Sequence, residues 1–443
     1  MNKTEYARQY RDNLLNDVVP FWIKNSPDSE HGGFLTCLDR QGRIYDSDKF
    51  IWLQCRQVWL FSMLYNNVEP RQEWLDMAML GAGFLKKYGR AKDGNWYFSL
   101  TREGRPLVQP CNIFSDCFAA MAFGQLCLAT GNAADGKIAE QTFRNILKRR
   151  ENPKGIYNKS YPGTRPMKDF ALPMILSNLV LEVEHIIEPE LVDEIINYSI
   201  HEVMEVFYQP DSGLILENMA LDGSVSDTFN GRLVNPGHAL ESMWFIMDLG
   251  ERKGDPSLIQ KAVDISLGIL EYGWDTKYNG IFYMMDARGY PPDSLVWDQK
   301  LWWVHQEAIL AMLKGHDQTA DRRCWDSFEK LHDYTWSHIP DKEYGELLGY
   351  LNRRGEVLLS LKLGKWTGCF HTPPYLYQGW KTLEKTERKK GVAKESLNHD
   401  RYLNCKDQQR EQLFFGPGLF CGFPRGGVVR IRYGRYFRHA KFW

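Results

Sequence analysis

Long hydrophobic runs are missing from this 443-residue chain: no stretch reaches the roughly eighteen consecutive apolar residues that a membrane span requires. The opening segment, MNKTEYARQYRDNLLND, has no apolar core, so it does not read as a secretory leader. Net charge is almost absent as well, with 55 Lys+Arg against 56 Asp+Glu, which removes the electrostatic basis for a nucleic-acid partner. Nine cysteines form no CxxC pair, and the odd count favours reduced, mostly buried thiols in the cytoplasm. A GxxxxGK[ST] phosphate loop and an HExxH zinc motif are both lacking. No dense His/Asp/Glu cluster stands at metal-ligand spacing, so no metal is expected. GAGFLK at 81–86 imitates the start of a glycine fingerprint, but it lies inside a helical pattern and reads as helix packing.

What is present is an ordinary globular mixture, 43% apolar and 25% charged, with an unusually high aromatic share that includes 15 Trp. Such rings line sugar sites as well as cores. Charge is unevenly spread. From Arg388 to Trp443 there are 13 basic and 4 acidic residues, a net of +9, against −10 for the rest. That break predicts two parts: a folded domain over 1–388 and a basic, aromatic extension over 389–443. The extension reads as a disordered appendage or the product of an altered reading frame.

A short pattern recurs six times: a Gly among apolar residues, then a turn with a second Gly some nine positions on. The turn glycines are Gly42, Gly104, Gly163, Gly223, Gly289 and Gly355, spaced by 62, 59, 60, 66 and 66 residues. Each copy predicts a small β-hairpin or extended loop. Between copies, apolar residues at helical spacing predict pairs of helices: Trp52–Tyr65 with Trp74–Tyr88, Ile113–Thr130 with Lys137–Arg150, and Phe170–Ile187 with Pro189–Phe207. Two more pairs follow, His238–Gly250 with Pro256–Tyr272 and Val304–Lys314 with Asp321–Ser337. Six helical hairpins of about sixty residues bury their apolar faces most economically as a closed ring. The expected architecture is all-α, an (α/α)6 barrel with short β-hairpin loops gathered at one end; an open helical solenoid is the alternative.

Candidate chemistry stands where local rules are broken. GRLVNPGHALESMWF (231–245) places His238 at a helix start after Asn-Pro-Gly, with Glu241 three residues on and on the same face. The positive end of the helix dipole predicts a neutral, basic imidazole, suited to a general base; capping or a core role is the competing reading. LWWVHQEAIL (301–310) carries Trp303, His305 and Glu307, of which the last two cannot both point one way. KWTGCFHTPPYLY (365–377) holds Trp366 and His371 on a rigid loop after the last hairpin, where function concentrates. LQCRQVWLFSM (53–63) embeds Arg56 in an apolar helix, and a buried Arg needs a partner or a ligand. Cys55 beside it reads as packing, and Asp116 in NIFSDCFAAMAFGQ (112–125) as a helix cap. Two histidines, an arginine and a glutamate suit proton abstraction beside a carbonyl, with Arg stabilising the oxygen of the intermediate. A glycosidase would need two carboxylates instead, and Glu217, Glu241, Glu307, Asp116 and Asp169 keep that alternative open.

At these residues the chain resembles the N-acylglucosamine 2-epimerase family, which includes mammalian renin-binding members. The matching stretches are LQCRQVWLFS, NIFSDCFAAMAF, GRLVNPGHALES, WWVHQEA and KWTGCFHTP, in the family's order. The resemblance implies reversible 2-epimerisation of N-acetyl-D-glucosamine and N-acetyl-D-mannosamine through ring opening and a planar enediolate. It implies His238 and His371 as the acid/base pair, with Arg56 and Glu307 essential; Glu241, His305, Trp303 and Trp366 would line the sugar site. It further implies a homodimer with no required cofactor, ATP acting as an activator that is not consumed, and a cytoplasmic role in amino-sugar and sialic-acid breakdown or in supplying N-acetylmannosamine. A glycoside hydrolase on the same toroid and a non-catalytic renin-binding-type protein remain the alternatives. Two departures stand out: Pro374 follows His371-Thr372-Pro373 where the family usually has Arg, and the extension 389–443 has no counterpart in it.

Overall fold

Helices that are apolar all round alternate along the chain with helices that are apolar on one side, and this alternation builds a ring of two layers. The computed structural model describes residues 1–387 apart from 162 and 363. The extension read over 389–443 lies outside the described residues. The inner layer holds α3 (Ile51–Asn67), α5 (Phe114–Thr130), α7 (Ala171–Val183), α9 (Pro236–Lys253) and α11 (Trp302–Thr319), packed side by side in sequence order. Almost every side chain of the first three turns of α3 is buried, polar ones included. Outside lie α4 (Gln72–Tyr88), α6 (Ala133–Arg149), α8 (Pro189–His201), α10 (Pro256–Gly273) and α12 (Arg322–His338), each burying one stripe against its inner partner.

The sixth pair is made from the two ends of the domain rather than from a hairpin. The outer member is the N-terminal α1 (Lys3–Asn13) continued through a π turn into α2 (Val19–Asn25). The inner member, α13, spans 372–387. Tyr10 of α1 fixes the closure: its ring lies 5.0 Å from Tyr375, and its hydroxyl is 3.1 Å from His332 Nδ1 on α12. Gln306 of α11 bonds Thr372 at 3.1 Å, and Phe370, just before α13, packs 5.4 Å from Trp59 of α3. The ring is thereby an (α/α)6 barrel. Pro374 falls in the first turn of α13, where a missing N–H costs no hydrogen bond and the fixed φ favours helix. Gly81 in α4 serves packing, as expected, with Phe34 and Val58 lying where its Cβ would stand, whereas Gly83 faces open space.

Small antiparallel sheets sit at the N-terminal ends of the inner helices. Lys49–Phe50 enters α3 and pairs with Ser99–Leu100, and Lys300–Leu301 enters α11 and pairs with Tyr350–Leu351. Five of the six turns repeat one hydrogen bond, from the turn glycine to the residue three before it, as in Gly42 to Asp39 (3.0 Å). The third copy differs, with a 3-10 turn at Gly155–Tyr157.

Three buried Lys–Asp–Arg clusters pin these loops. Lys49 reaches Asp28 at 2.8 Å, Lys300 reaches Asp275 at 3.2 Å, and Lys362 reaches Asp341 at 2.7 Å, with all six side chains essentially inaccessible. Each Asp also takes an arginine from another hairpin: Arg102, Arg353 and Arg40 respectively. The Arg40–Asp341 pair joins the first hairpin to the last, across the point where the ring closes. Burial alone would raise these carboxyls, but their Arg and Lys partners outweigh it and hold all three well below the usual range.

Acid acts on the fold through buried groups of both signs. Burial lowers His305 to about 3 and His332 to about 4. An unfolded histidine titrates near ~6.5. The unfolded chain consequently binds protons first, and stability present above that value is lost as pH falls below it. The three pinned aspartates, depressed below the unfolded ~3.9, add a second loss in stronger acid. Asp116 and Glu346, which burial raises to about 7, and Glu241, which burial and Glu307 raise to about 8, act the opposite way over pH 7 to 5, because the folded chain binds their protons first. The melting temperature should therefore change little from pH 7 to 5 and drop steeply below pH 4 as the pinned aspartates gain protons; a flat profile from pH 4 to 2 would contradict this.

Candidate active site

Asn235 starts the helix that carries the first histidine. Its Oδ1 accepts from the N–H groups of Gly237 (3.0 Å) and His238 (3.3 Å), and Pro236 fills the first helical position. His238 then faces Glu217, whose two carboxylate oxygens lie 3.0 and 3.1 Å from Nδ1. Burial would lower the pKa of His238, but the carboxylates of Glu217, Glu241 and Asp169 together raise it to about 9. The expectation of a neutral imidazole from the helix dipole is thus corrected: an ion pair at hydrogen-bond distance outweighs a helix terminus.

His371 arrives on the loop before α13 and is paired in the same manner. Its Nδ1 lies 2.8 Å from Glu307 Oε1, while Glu307 Oε2 accepts from Trp244 Nε1 at 2.7 Å. Here burial lowers the pKa; Glu307 counters it, and the cations Arg56 and His238 add to the lowering. With its Nδ1–H on Glu307, His371 presents the lone pair of Nε2. Both imidazoles pack on one indole, with Trp303 centred 5.2 Å from His238 and 5.4 Å from His371.

Two ionisable side chains in this region have no ion pair among the described residues. Arg56 is 7% exposed and held among the rings of Phe118 (4.0 Å), Trp52 (4.4 Å) and Phe370 (4.4 Å), and its Nε makes no hydrogen bond. Burial pulls its pKa down to about 9, against the fields of Glu241 and Glu307, so it stays cationic at neutral pH. Glu241 is buried and makes no hydrogen bond or ion pair among the described residues. Burial and the neighbouring Glu307 push its carboxyl up. A buried guanidinium and a buried carboxyl left without ion pairs side by side mark the place of a ligand. Glu241, Glu307 and His371 bring ligand atoms within 4.8 Å of one another, a cluster that no sequence spacing displays. Arg56 supplies the positive charge beside it.

The fold therefore unites His238, His371, Arg56, Glu307, Glu241 and Trp303. His305 is not among them. Its Nδ1 bonds Leu301 O at 2.7 Å, its Nε2 accepts from the Ile281 N–H at 2.9 Å, and its ring stacks on Tyr334, so both nitrogens are spent on backbone. Trp366 lies at the surface, 57% exposed, edge-on to Trp52 at 5.9 Å, over the aromatic shell of Arg56 rather than beside the imidazoles. Asp116 is not a cap; it is a buried partner of Arg149 at 3.0 Å. Cys55 is buried packing, its thiol raised by desolvation. Glu217, read from the sequence only as a candidate glycosidase carboxylate, is instead the partner of His238, 21 residues before it and on a different element, so no fixed spacing announces the pair.

Gly237 makes the shared indole feasible. A Cβ there would stand 2.6 Å from Trp303 Cζ3 and 2.8 Å from Val304 Cγ2. Gly237→Ala should cost about 1–3 kcal/mol of stability through overpacking. It should also lower activity by displacing Trp303, against which both histidines lie. Thermal unfolding and a rate assay check both, and an alanine variant with unchanged rate would contradict the placement of Trp303.

Residues 33–372 match the model of the N-acylglucosamine 2-epimerase (GlcNAc 2-epimerase) family. The chain is 40% identical over 367 residues to the N-acylglucosamine 2-epimerase of Mus musculus, covering 81% of this chain and 87% of that one. It is 39% identical over 368 residues to the Homo sapiens protein of the same name, covering 81% and 86%. Among solved structures it is similar to the cellobiose 2-epimerase from Bacillus thermoamylovorans B4167, with a TM-score of 0.75 at 19% identity, covering 85% of this chain and 99% of that chain.

Proposed function

The chain belongs to the N-acylglucosamine 2-epimerase family, and from that membership we propose that it reversibly interconverts N-acetyl-D-glucosamine and N-acetyl-D-mannosamine. One observation carries the mechanism: two histidines lie against a single indole, each held by its own carboxylate, beside a buried arginine without an ion pair among the described residues. In the open-chain sugar, the C2–H lies next to the C1 aldehyde. One imidazole removes that proton, and the electron pair delocalises onto O1, where Arg56 balances the developing charge. The other imidazole delivers a proton to the opposite face of the planar intermediate, which inverts C2. In the reverse direction the two histidines exchange roles. Glu307 holds the His371 ring, and Trp303 spaces the pair. Glu241, protonated by its surroundings, is a hydrogen-bond donor to a sugar oxygen.

This arrangement disfavours the hydrolase alternative. A glycosidase needs two carboxylates free for the sugar, and here Glu217 and Glu307 are each committed to a histidine. No cofactor enters the chemistry, and ATP, where it acts, is an activator by family likeness. A cytoplasmic homodimer serving amino-sugar and sialic-acid breakdown completes the proposal; the free thiols of the seven described cysteines support a reducing compartment.

The substrate assignment is tested by incubating the protein separately with N-acetyl-D-mannosamine, D-mannose and cellobiose and separating the products. N-acetylglucosamine should form at least about tenfold faster than any product of the other two sugars, the factor that ~1.4 kcal/mol of acyl-group recognition would give. Turnover of cellobiose or mannose alone would overturn the N-acyl assignment.

A further inference from the structure

The two histidine–carboxylate pairs look alike, yet they stand in different fields, and the mechanism above gives Glu217 no task of its own. Glu217 is held firmly: its N–H donates to Leu233 O at 2.9 Å, and its carbonyl accepts from the Phe170 N–H at 3.0 Å. Its carboxylate is thereby fixed between the segments that lead into α7 and α9, with both oxygens at hydrogen-bond distance from His238 Nδ1. The other ionisable groups facing His238 are Glu241 on its own helix, Asp169 on the strand before α7, and His371 beyond the shared indole. Each carboxyl there favours a charged ring when ionised, and among the described residues only Glu217 is at hydrogen-bond distance from it. His371 faces Glu307, to which it is bonded, the Glu241 carboxyl within 4.8 Å, whose pKa burial and Glu307 push up, and two cations, Arg56 and His238.

We propose that Glu217 is a positioning residue that makes the two faces of the site inequivalent: it holds His238 with Nδ1–H toward the carboxylate and Nε2–H toward the sugar as the resting proton donor, leaving His371 as the resting acceptor. This rests on the epimerase reading. At the start of a turnover the C2–H bond breaks, its electron pair passes to the C1–O1 unit, and the proton goes to His371 Nε2. The His238 Nε2–H bond then breaks as the new C2–H bond forms on the opposite face, and His238 becomes neutral while keeping its Nδ1–H on Glu217. The site resets by losing one proton from His371 to solvent and regaining one at His238. The competent resting form exists only above the titration of His371 and below that of His238, so kcat/KM should be bell-shaped, with His238 setting the alkaline limb.

The test uses the full chain with ring-labelled histidine, the His238 signal being assigned by its loss in His238→Gln. In the wild type that signal should titrate near pH 9. In Glu217→Gln it should fall by about one pH unit or more, the usual effect of removing an adjacent opposite charge. The alkaline limb of kcat/KM should move down with it, while KM changes little, and Glu217→Asp should return the limb most of the way. A wild-type His238 that titrates at the ordinary histidine value would overturn the proposal without any variant. So would a Glu217→Gln protein that is slower at every pH with the profile unmoved, the behaviour of a merely structural residue. The titration needs no sugar: a wild type that moves no C2 proton sinks the epimerase reading and the donor role, while the titration still decides whether Glu217 holds the charge.

Discussion

His238→Ala and His371→Ala should each lower kcat for epimerisation by about 10²–10⁴, the usual worth of a positioned acid or base. They should do so with little change in KM, since an imidazole flank contributes little to holding the sugar. The sharper expectation concerns what survives. Each histidine serves one face of C2, so removing one leaves the other able to abstract and return a proton on its own side. His238→Ala should exchange the C2 proton of one epimer with solvent, without inversion, and leave the other epimer untouched. His371→Ala should show the mirror image only as the pH approaches 9, where His238 loses its proton and can act as a base. Because both rings rest on Trp303 and each has its own carboxylate, loss of one need not displace the other. Proton NMR of each pure sugar with each variant reads the result. Exchange of both epimers by both variants would mean that one base serves both faces.

Asp341→Asn should produce the largest loss of stability, about 3–5 kcal/mol, the cost of leaving a buried charge without its partner. Lys362 has an inaccessible side chain and relies on Asp341 at 2.7 Å, and Arg40 reaches the same carboxylate from the first hairpin at 2.8 Å. One substitution therefore orphans an ammonium and unties the two ends of the ring. Activity should fall too, because Lys362 leads into the loop that delivers His371. The double variant Asp341→Asn/Lys362→Met should recover part of the loss, since a matched apolar replacement removes the orphan. Urea unfolding of the single and double variants checks this; a single variant within about 1 kcal/mol of wild type would show that the cluster is dispensable.

Much of this molecule is legible without coordinates, because repetition is visible wherever one physical demand recurs. Gly42, Gly104, Gly163, Gly223, Gly289 and Gly355 all take a positive φ, so their spacing reports the helical segments between them. His238 is legible because Asn-Pro-Gly is an unmistakable helix entry, and Arg56 because a charge stands out in an apolar helix. What the spacing hides is partnership across elements. Glu217 meets His238 by sheet geometry, and Arg40 meets Asp341 301 residues away. The sixth pair of helices is split between the ends of the domain, so no hairpin of local sequence displays it. The pinning aspartates did leave a trace: Asp28, Asp275 and Asp341 each stand four and five residues before two consecutive left-handed positions, Gly32–Gly33, Asn279–Gly280 and Gly345–Glu346. His305 misleads because a histidine beside two tryptophans looks like a ligand contact, whereas both its nitrogens complete backbone hydrogen bonds.

The most direct measurement is proton NMR of N-acetyl-D-mannosamine with the full chain in D2O, following the C2–H signal. Proton transfer through exchangeable imidazoles predicts loss of that signal, with N-acetylglucosamine appearing and carrying deuterium at C2. Epimerisation that keeps the original hydrogen at C2 in every product molecule, or a folded protein that leaves the C2–H signal intact, would contradict a two-histidine proton exchange.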